Sequence, residues 1–332
     1  YKEENEIKEL LLDMKIVCLS TTRGKITENI VQFEKYSHND LAYLIYTSGT
    51  TGNPKGVMIR EEGLLYLCRD FIERFNLKPD VRVLQHTNIS FDPFIEEVFP
   101  VLLSGATVVV TPDNAKEDYN LLCDYMYNKN VDIADFCPLV LAELLPYLER
   151  KHCVKQIICG GDNLSAFLKT AILQLDIELF NNYGPSEITV DATCYECTDD
   201  PRNIIGKPFG DKKIYIMNGN QLCGIGVPGE ICITGKGLAV GYLNLPELTA
   251  EKFVNNPFGE GRMYRSGDLA RWLPDGNIEY MGRIDEQIKI RGHRIELGEI
   301  ESRIQEIEGV KESAVIARED RNGEKAIYAY YT

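Results

Sequence analysis

The chain has 332 residues, a hydrophobic fraction of 44% and a formal net charge of −15 at neutral pH. The hydrophobic fraction suits one large domain or two, whereas the negative charge argues against nucleic acid or an anionic membrane surface as a partner. The sequence has no apolar run near the roughly 20 residues that a membrane-spanning helix needs, which argues against a membrane protein.

The first 204 residues alternate helical patterns with short apolar strands. Helical spacing covers residues 4–14, 61–75, 95–103, 120–129, 140–150 and 165–174. Strand patterns, the one at 41–45 apolar enough to predict burial, cover residues 16–19, 41–45, 82–88, 106–110, 133–136, 156–159 and 178–181. Residues 21–40 are polar and predict a surface connection. The alternation is typical of an α/β fold with a parallel or mixed sheet.

The pattern changes after residue 204. Short strands separated by turns are expected at 213–217, 229–234, 271–273 and 277–281. The turn Pro274-Asp275-Gly276 has hairpin chemistry. A helix at 297–306 and strands at 312–317 and 326–331 then predict the start of a separate unit.

A glycine-rich loop follows the apolar strand at 41–45. Residues 46–56 read Tyr-Thr-Ser-Gly-Thr-Thr-Gly-Asn-Pro-Lys-Gly. Glycine backbone N–H groups, hydroxyls and a lysine can together wrap a polyphosphate. The loop is not the P-loop of the NTPases, because Lys55 follows Pro54 and does not open a helix. The alternative is a mobile surface loop.

A second motif, Asn-Asn-Tyr-Gly-Pro-Ser-Glu at 181–187, follows a predicted strand, and strand ends are where α/β sheets bind ligands. Tyr183 offers a flat face for a purine and Asn181 a hydrogen-bonding edge. Glu187 is an oxygen ligand suited to Mg²⁺. The alternative is a Gly-Pro turn with an exposed acid.

Two further motifs lie in the last third of the chain. In Tyr-Arg-Ser-Gly-Asp-Leu, at 264–269, the carboxylate of Asp268 can accept hydrogen bonds from both ribose hydroxyls; the alternative is a solvated turn. In the stretch 282–301, charges alternate with isoleucines and Gly292 interrupts the pattern. The alternative for this stretch is an amphipathic hairpin.

In their order, these four motifs closely resemble those of the adenylate-forming superfamily, and the stretch 282–301 is similar to the hinge motif of nonribosomal peptide synthetase adenylation domains. The resemblance implies an AMP-forming ligase that uses ATP and Mg²⁺, with Lys55 and Glu187 as catalytic residues and Glu187 as the metal ligand. It implies an ATP site made of Thr47, Ser48, Gly49, Thr50, Thr51, Gly52, Lys55, Gly161, Asn181, Tyr183, Asp268 and Arg283.

The resemblance also implies a division of the chain. Residues 1–204 would be the α/β part of a large subdomain, 205–284 its β-rich part, and 285–332 the beginning of a mobile C-terminal α+β lid that turns about Asp285. The product would pass to the phosphopantetheine thiol of a peptidyl carrier domain, beside a condensation domain of the same synthetase.

The chain departs from the family pattern in three ways. Ser266 stands where threonine is usual, nothing before residue 41 resembles the first two core motifs, and the last two motifs lie beyond Thr332. The chain also begins without methionine. We therefore expect a fragment with weak or no adenylation on its own.

Aligning the motifs places the family's amino-acid pocket on Asp92, Pro93, Glu96, Asp135, Ile158, Gly160, Asn182, Val190 and Asp191. Asp92 would bind the substrate's α-ammonium. Three acids remain, and burying them without partners is costly, which favours a basic amino acid such as ornithine, lysine or arginine. Glutamine or glutamate comes next, although no lysine stands near Glu96 to favour glutamate.

Two other classes stay open. One is an acyl-CoA-synthetase-like ligase for a carboxylic acid without an amine, against which Asp92 argues. The other is a non-catalytic ATP-binding module. A D-alanine:carrier ligase is a nearer relative, but its small pocket does not suit Glu96 and Asp135.

The ten cysteines form no framework. Cys194 and Cys197 are the only C-x-x-C pair, with no second pair at zinc spacing. We expect buried free thiols and a cytoplasmic location.

Overall fold

In the computed structural model, the described residues are 40–48, 54–284, 288–290, 293–307, 309–319 and 325–332. The helix predicted at 4–14, the strand at 16–19 and nearly all of the connection at 21–40 lie outside these residues. So do Gly49, Thr50, Thr51, Gly52 and Asp285.

The strands, numbered in chain order, are β1 (Leu41–Thr47), β2 (Lys55–Arg60), β3 (Arg82–Gln85), β4 (Thr107–Val110), β5 (Ile133–Phe136), β6 (Gln156–Cys159), β7 (Glu178–Tyr183), β8 (Thr193–Glu196), β9 (Ile204–Pro208), β10 (Lys213–Asn218), β11 (Gln221–Leu222), β12 (Gly229–Thr234), β13 (Gly241–Tyr242), β14 (Phe253–Asn255), β15 (Arg262–Trp272), β16 (Ile278–Arg283), β17 (Ile288–Ile290), β18 (His293–Ile295), β19 (Ser313–Glu319) and β20 (Lys325–Tyr331). The helices are α1 (Glu61–Arg74), α2 (Pro93–Leu103), α3 (Tyr119–Asn128), α4 (Pro138–Leu148), α5 (Ala166–Leu173), α6 (Pro246–Lys252) and α7 (Leu297–Gln305), with 3₁₀ turns at Asp113–Ala115 and Ser186–Ile188.

A mixed sheet dominates the described chain. Its strand order is β11-β10-β12-β15-β16-β9-β8-β7-β6-β5-β3-β4, with β14 paired to β15. The segment from β4 to β7 is parallel, and the pairs from β7 to β11 are antiparallel. The predicted α/β class is confirmed.

Alternate residues of the parallel strands face two different helical layers, as the period of two requires. Leu84, Phe136 and Ile157 pack with α3, α4 and α5. Val83 and Ile158 pack with α1 and α2. The second face carries the candidate site.

The strand at 41–45 was expected to be buried, and this prediction is wrong for most of its side chains. β1 forms the edge of a three-stranded sheet with β2 and β13. Ile45 is buried, whereas Leu44 is 39% and Tyr46 58% exposed. One face of this small sheet is covered, so every second side chain of β1 points outward.

Helix ends lie within two residues of the predicted ones, and α2 and α4 start earlier because Pro93 and Pro138 occupy the first turn, where proline is favoured. The strand predicted at 271–273 is the end of the longer β15. β2, β8 and β9 were missed because polar residues interrupt their apolar pattern.

The division of the chain at 204/205 stays a prediction. In the structure β9 pairs with β8 on one side and β16 on the other, so strands of both portions share one sheet. After residue 285, β17 and β18 form a hairpin, and α7 packs against β19, which pairs with β20.

None of the helices in the described part of the chain has the length and apolar character needed to cross a membrane. The nine described cysteines are free thiols.

Candidate active site

A cavity of about 510 Å³ opens at the carboxyl ends of β5, β6 and β7, where ligands bind in open α/β sheets. The sequence-predicted residues that line it are Thr47, Ser48, Asp92, Pro93, Glu96, Asp135, Ile158, Gly160, Gly161, Asn182, Tyr183, Val190, Asp191, Asp268 and Arg283. All nine positions predicted for the amino-acid pocket are therefore brought together.

Strand register and one close backbone approach explain how four of these residues meet. Asp135 of β5 lies opposite Ile158 of β6 in the parallel ladder. Farther along the chain, a Cβ built on Gly160 would come 3.1 Å from the carbonyl oxygen of Asn182 in β7. Small size at position 160 thus lets the neighbouring backbone approach and leaves room above the strands.

Helix α2 supplies the opposite wall. Pro93 starts the helix, and Glu96 follows within one turn, only 2% exposed. The next residue, Glu97, accepts hydrogen bonds from the backbone nitrogens of His86 and Thr87. Glu97 thereby holds the loop after β3, which also lines the cavity.

Three carboxyl groups meet inside the cavity. Burial, with the charges of Asp191 and Asp135, raises the pKa of Glu96 well above its ordinary value. Burial raises the pKa of Asp135 to about 7 and that of Asp191 to about 6. The Nδ2 atom of Asn182 donates to Asp191 at 2.8 Å. Burial and mutual repulsion therefore favour the binding of a proton by this cluster.

Two acceptor atoms of this wall are buried without a hydrogen-bond partner among the described residues. They are Oε2 of Glu96 and Oδ1 of Asn182. Buried acceptors are normally satisfied, so both atoms suit a ligand that brings N–H donors.

Asp191 is presented by an unusual backbone. Thr189 and Val190 have φ values of 62° and 60°, a left-handed conformation that β-branched residues rarely adopt. The hydroxyl of Thr189 donates to the carbonyl of Gly237 at 2.6 Å. The carbonyl oxygen of Val190 would lie 1.8 Å from a Cβ on Gly184, so only glycine fits there.

A second set of polar side chains surrounds Asp268. The hydroxyl of Tyr183 donates to its Oδ2 atom at 2.7 Å, and the hydroxyl of Tyr280 donates to Oδ1 at 3.1 Å. Arg283 donates from Nη1 to the same Oδ1 atom at 3.1 Å. Burial raises the pKa of Tyr183 well above its usual value, so its phenol remains a donor that orients the carboxylate.

Asn181 does not line the cavity. Its Nδ2 atom donates to the carbonyl of Ile204 at 2.8 Å. Neighbours along a strand face opposite sides, so Asn182 of β7 faces the acid cluster and Asn181 does not. A contact between Asn181 and a nucleotide stays a prediction.

Lys55 and Glu187 form a buried ion pair beside the cavity rather than in its wall. Nζ of Lys55 lies 3.4 Å from Oε1 of Glu187, whose side chain is fully buried. The hydroxyl of Tyr242 donates to the same oxygen at 2.7 Å. Lys55 also sits 4.7 Å from the centre of the Tyr242 ring.

The donor set fits Mg²⁺ only when a nucleotide adds ligands. Among the described residues, no group of three or more His, Cys, Asp or Glu side chains could hold a metal ion. One carboxylate plus phosphate oxygens and water is a common way to bind Mg²⁺. Glu187 could provide that carboxylate once Lys55 moves from Oε1.

Sequence reasoning missed Tyr242, Tyr280, Glu97 and His86. Tyr242 and Tyr280 reach the site by long-range sheet packing, which no local spacing reveals. For Glu97 the sequence did carry a signal. Adjacent residues of a helix face different surroundings, so the carboxylate next to a predicted pocket acid needs hydrogen-bond donors of its own.

The profile of the AMP-binding enzyme family matches residues 3–243. Bacitracin synthase 1 of Bacillus licheniformis is 46% identical over 296 residues, which cover 88% of this chain and 6% of that protein. Tyrocidine synthase 1 of Brevibacillus parabrevis is 44% identical over 298 residues, covering 88% of this chain and 27% of that protein. The chain thus spans a small part of these curated relatives.

Solved structures agree. Holo-PA1221, an NRPS protein containing adenylation and PCP domains, superposes with a TM-score of 0.84 at 29% identity, covering 95% of this chain and 56% of that one. A four-domain nonribosomal peptide synthetase bound to AMP and glycine gives a TM-score of 0.70 at 33% identity, covering 88% and 22%. The predicted resemblance to adenylation domains is confirmed.

Proposed function

The chain belongs to the AMP-binding enzyme family, and we propose that it carries the nucleotide and amino-acid sites of an adenylating ligase of nonribosomal peptide synthesis. In the proposed reaction, an amino-acid carboxylate oxygen attacks the α-phosphorus of ATP. The bond from that phosphorus to the departing pyrophosphate oxygen breaks, giving an aminoacyl-AMP.

The acid cluster carries the proposal for the substrate. Glu96, Asp135 and Asp191 line one cavity, and Oε2 of Glu96 has no described partner. Ionised carboxylates without a cation are costly in a buried site. A basic side chain, as in ornithine, lysine or arginine, would supply both the positive charge and the N–H donors, while Asp92 would receive the α-ammonium.

Glutamine is the second candidate. Its amide N–H₂ could donate to Oε2 of Glu96 and to Oδ1 of Asn182, two buried acceptors of the cavity wall without described partners. It would leave the charge of Asp135 and Asp191 unbalanced, so we place it after the basic amino acids. Glutamate would add a further negative charge to the same wall.

For the nucleotide, we propose that Tyr183 packs on the purine and that Asp268, oriented by its three donors, accepts from the ribose hydroxyls. Arg283 lies at the same carboxylate and would neutralise it. Thr47 and Ser48 line the cavity next to the loop in which Gly49, Thr50, Thr51 and Gly52 are expected to bind phosphate.

Lys55 and Glu187 would act on the triphosphate. We propose that Lys55 leaves Glu187 for the phosphate oxygens, and that Glu187 then holds Mg²⁺, which would offset charge on the leaving pyrophosphate. Preorganised charges of this kind account for much of catalysis in phosphoryl chemistry. Both side chains are already desolvated, so binding the triphosphate would not require their removal from water.

The partners are proposed on the same basis. Transfer to a phosphopantetheine thiol of a peptidyl carrier domain, a neighbouring condensation domain and rotation about Asp285 are expected from the family resemblance. The free cysteines support a cytoplasmic location.

Amino-acid-dependent ATP–pyrophosphate exchange tests the proposal. The longest expressible polypeptide that contains this chain would be offered ornithine, lysine, arginine, glutamine, glutamate and leucine. Exchange led by a basic amino acid is expected. Exchange led by glutamine or leucine would overturn the substrate, and ATP binding without any exchange would favour an acyl-acid ligase or a binding module.

A further inference from the structure

A buried lysine lies close to the acid cluster. Lys212, directly before β10, is 3% exposed and does not line the cavity. Its Nζ atom is 5.4 Å from the centre of the Phe209 ring, and its Cε atom would be 3.2 Å from a Cβ on Gly237. The side chain therefore runs between these two residues into the interior.

The ammonium of Lys212 is an unusual group to bury. Nζ has no hydrogen-bond partner within the part of the chain that the structure describes. An ammonium that is removed from water without a partner is costly, and such groups require an explanation.

The backbone of the cavity wall links Lys212 to Asp191. Gly237, which lies beside the side chain of Lys212, accepts the 2.6 Å hydrogen bond of Thr189. A Cβ on Gly237 would also lie 3.4 Å from Cβ of Thr189. Thr189 and Val190 lead directly into Asp191, so the lysine packs behind the segment that delivers this carboxylate to the cavity.

The carboxyl groups whose negative charges act on Lys212 are those of Asp191, Asp70, Asp211 and Glu96. Burial lowers the pKa of Lys212, and these four groups oppose that shift, Asp191 most strongly. In return, the positive charge of Lys212 lowers the pKa of Asp191, against the larger effect of burial.

We propose that Lys212 is a specificity-determining positioning residue, whose buried ammonium supports the ionised form of Asp191 from behind the cavity wall. This inference rests on the proposed function. If Glu96 keeps its proton, ionised Asp135 and Asp191 carry two negative charges, and Lys212 offsets one. One negative charge then remains for a single cationic side chain of the substrate.

Asp70 is the competing partner. Its Oδ2 atom is also buried without a described hydrogen-bond partner, while Oδ1 accepts from Arg69. If Lys212 served only Asp70, its removal would affect stability and leave substrate charge selection unchanged. The experiment must therefore separate Asp191 from Asp70.

The primary test is Lys212→Met, which removes the charge and keeps most of the side-chain volume. Lys213→Met is the matched control, because Lys213 is the exposed neighbour in β10. ATP–pyrophosphate exchange would be measured from pH 5.5 to 8.5 with ornithine and with norleucine, which replaces the side-chain ammonium of ornithine by a methyl group.

For Lys212→Met we expect the KM for ornithine to rise about eightfold at pH 5.5 and to change little at pH 8.5, because raising the pKa of Asp191 by about one unit from about 6 lowers its ionised fraction mainly below that pKa. We expect the KM for norleucine to change little and Lys212→Arg to restore the ornithine value. An equal change for both substrates, without a shift of the pH profile, would overturn the proposal. Loss of ATP–pyrophosphate exchange with glutamate alone would also overturn the proposal, since Lys212 would then bind the side-chain carboxylate of the substrate directly.

Double variants identify the carboxylate partner of Lys212 and do not require the substrate to be known. In thermal melting of the 332-residue chain, Lys212→Met combined with Asp191→Asn should melt above the temperature expected from adding the single effects. Additive effects with Asp191→Asn, together with non-additive effects with Asp70→Asn, would overturn the assignment. A leucine-led exchange panel with intact coupling to Asp191 would instead reject the proposed substrate class.

Discussion

Lys55 and Glu187 meet with 3.4 Å between Nζ and Oε1, and both side chains are nearly inaccessible to solvent. Each comes from a different glycine-containing motif: Lys55 is the first residue of β2, and Glu187 follows β7. The pair places the two proposed catalytic residues side by side, and it makes each of them the counterion of the other.

Glu187→Gln should therefore lower both stability and nucleotide binding. Removing one partner of a buried ion pair typically costs about 3–5 kcal/mol, because the remaining charge stays unpaired. We expect a corresponding loss in the free energy of unfolding by urea titration, and loss of the Mg²⁺ dependence of ATP binding by calorimetry.

The control is Tyr242→Phe, which removes the hydrogen bond to Glu187 and leaves the ion pair. It should cost about 1 kcal/mol and preserve the Mg²⁺ dependence. A Glu187→Gln protein with wild-type stability and unchanged Mg²⁺ dependence would contradict both the pairing and the proposed metal role.

Asp268→Asn should weaken ATP binding by at least about tenfold, or about 1.4 kcal/mol. An amide has one acceptor oxygen and would turn N–H donors toward Tyr183, Tyr280 or Arg283, each of which already donates to this site. Tyr280→Phe removes one of these donors and should cost less than threefold. Equal effects of the two variants would argue against a direct nucleotide contact by Asp268.

Asp135→Asn should stabilise the chain more at pH 8 than at pH 5. The folded-state pKa of Asp135 is raised to about 7, so folding favours the protonated form. That stabilisation is complete below about pH 4, the ordinary aspartate pKa, and is lost as pH rises through 7. Asparagine does not titrate and avoids this loss.

Melting curves across this pH range measure the difference, which we expect to be on the order of 2 kcal/mol in favour of Asp135→Asn at pH 8 relative to pH 5. Asp124→Asn, on the exposed side of α3, is the control for removing an acid outside the cavity. A difference between Asp135→Asn and wild type that is the same at both pH values would show that Asp135 does not titrate as described.

Gly184→Ala should abolish the native arrangement of the acid cluster. The added Cβ would lie 1.8 Å from the carbonyl oxygen of Val190, and overpacking against backbone typically costs about 1–3 kcal/mol or more. Gly224→Ala is the control, because a Cβ there meets no atom within 4 Å. Urea unfolding compares the two, and equal stability would refute the close approach.

Much of the amino-acid cavity could be predicted from the sequence because the motifs resemble those of adenylation domains, and aligning them carries the family's pocket positions onto this chain. Asp135 and Ile158 sit at matching places in neighbouring parallel strands, and Asp92 and Glu96 are four residues apart at the start of one helix. Such spacings and the order of the motifs can be read from the sequence without knowledge of tertiary contacts.

The remaining features depend on distant parts of the chain. The ion pair of Lys55 with Glu187, the hydrogen bond from Tyr280 to Asp268 and the burial of Lys212 each join segments that no local pattern relates. Lys212 is a clear case: beside Asp211 and Lys213 it belongs to a charged run, which predicts solvent exposure. Packing of Gly237 and Phe209 around its stem decides otherwise.

The left-handed pair Thr189 and Val190 has a consequence for altering ligand preference. A left-handed conformation costs a non-glycine residue about 1–2 kcal/mol, so the chain tolerates it only while the contacts of Thr189 and Gly184 persist. Exchanging the side chain at position 190 or 191 alone would leave that backbone in place and would change only the side chain that it presents to the cavity. If the pocket is replaced by that of a relative, residues 184–191 and Gly237 should therefore be exchanged together.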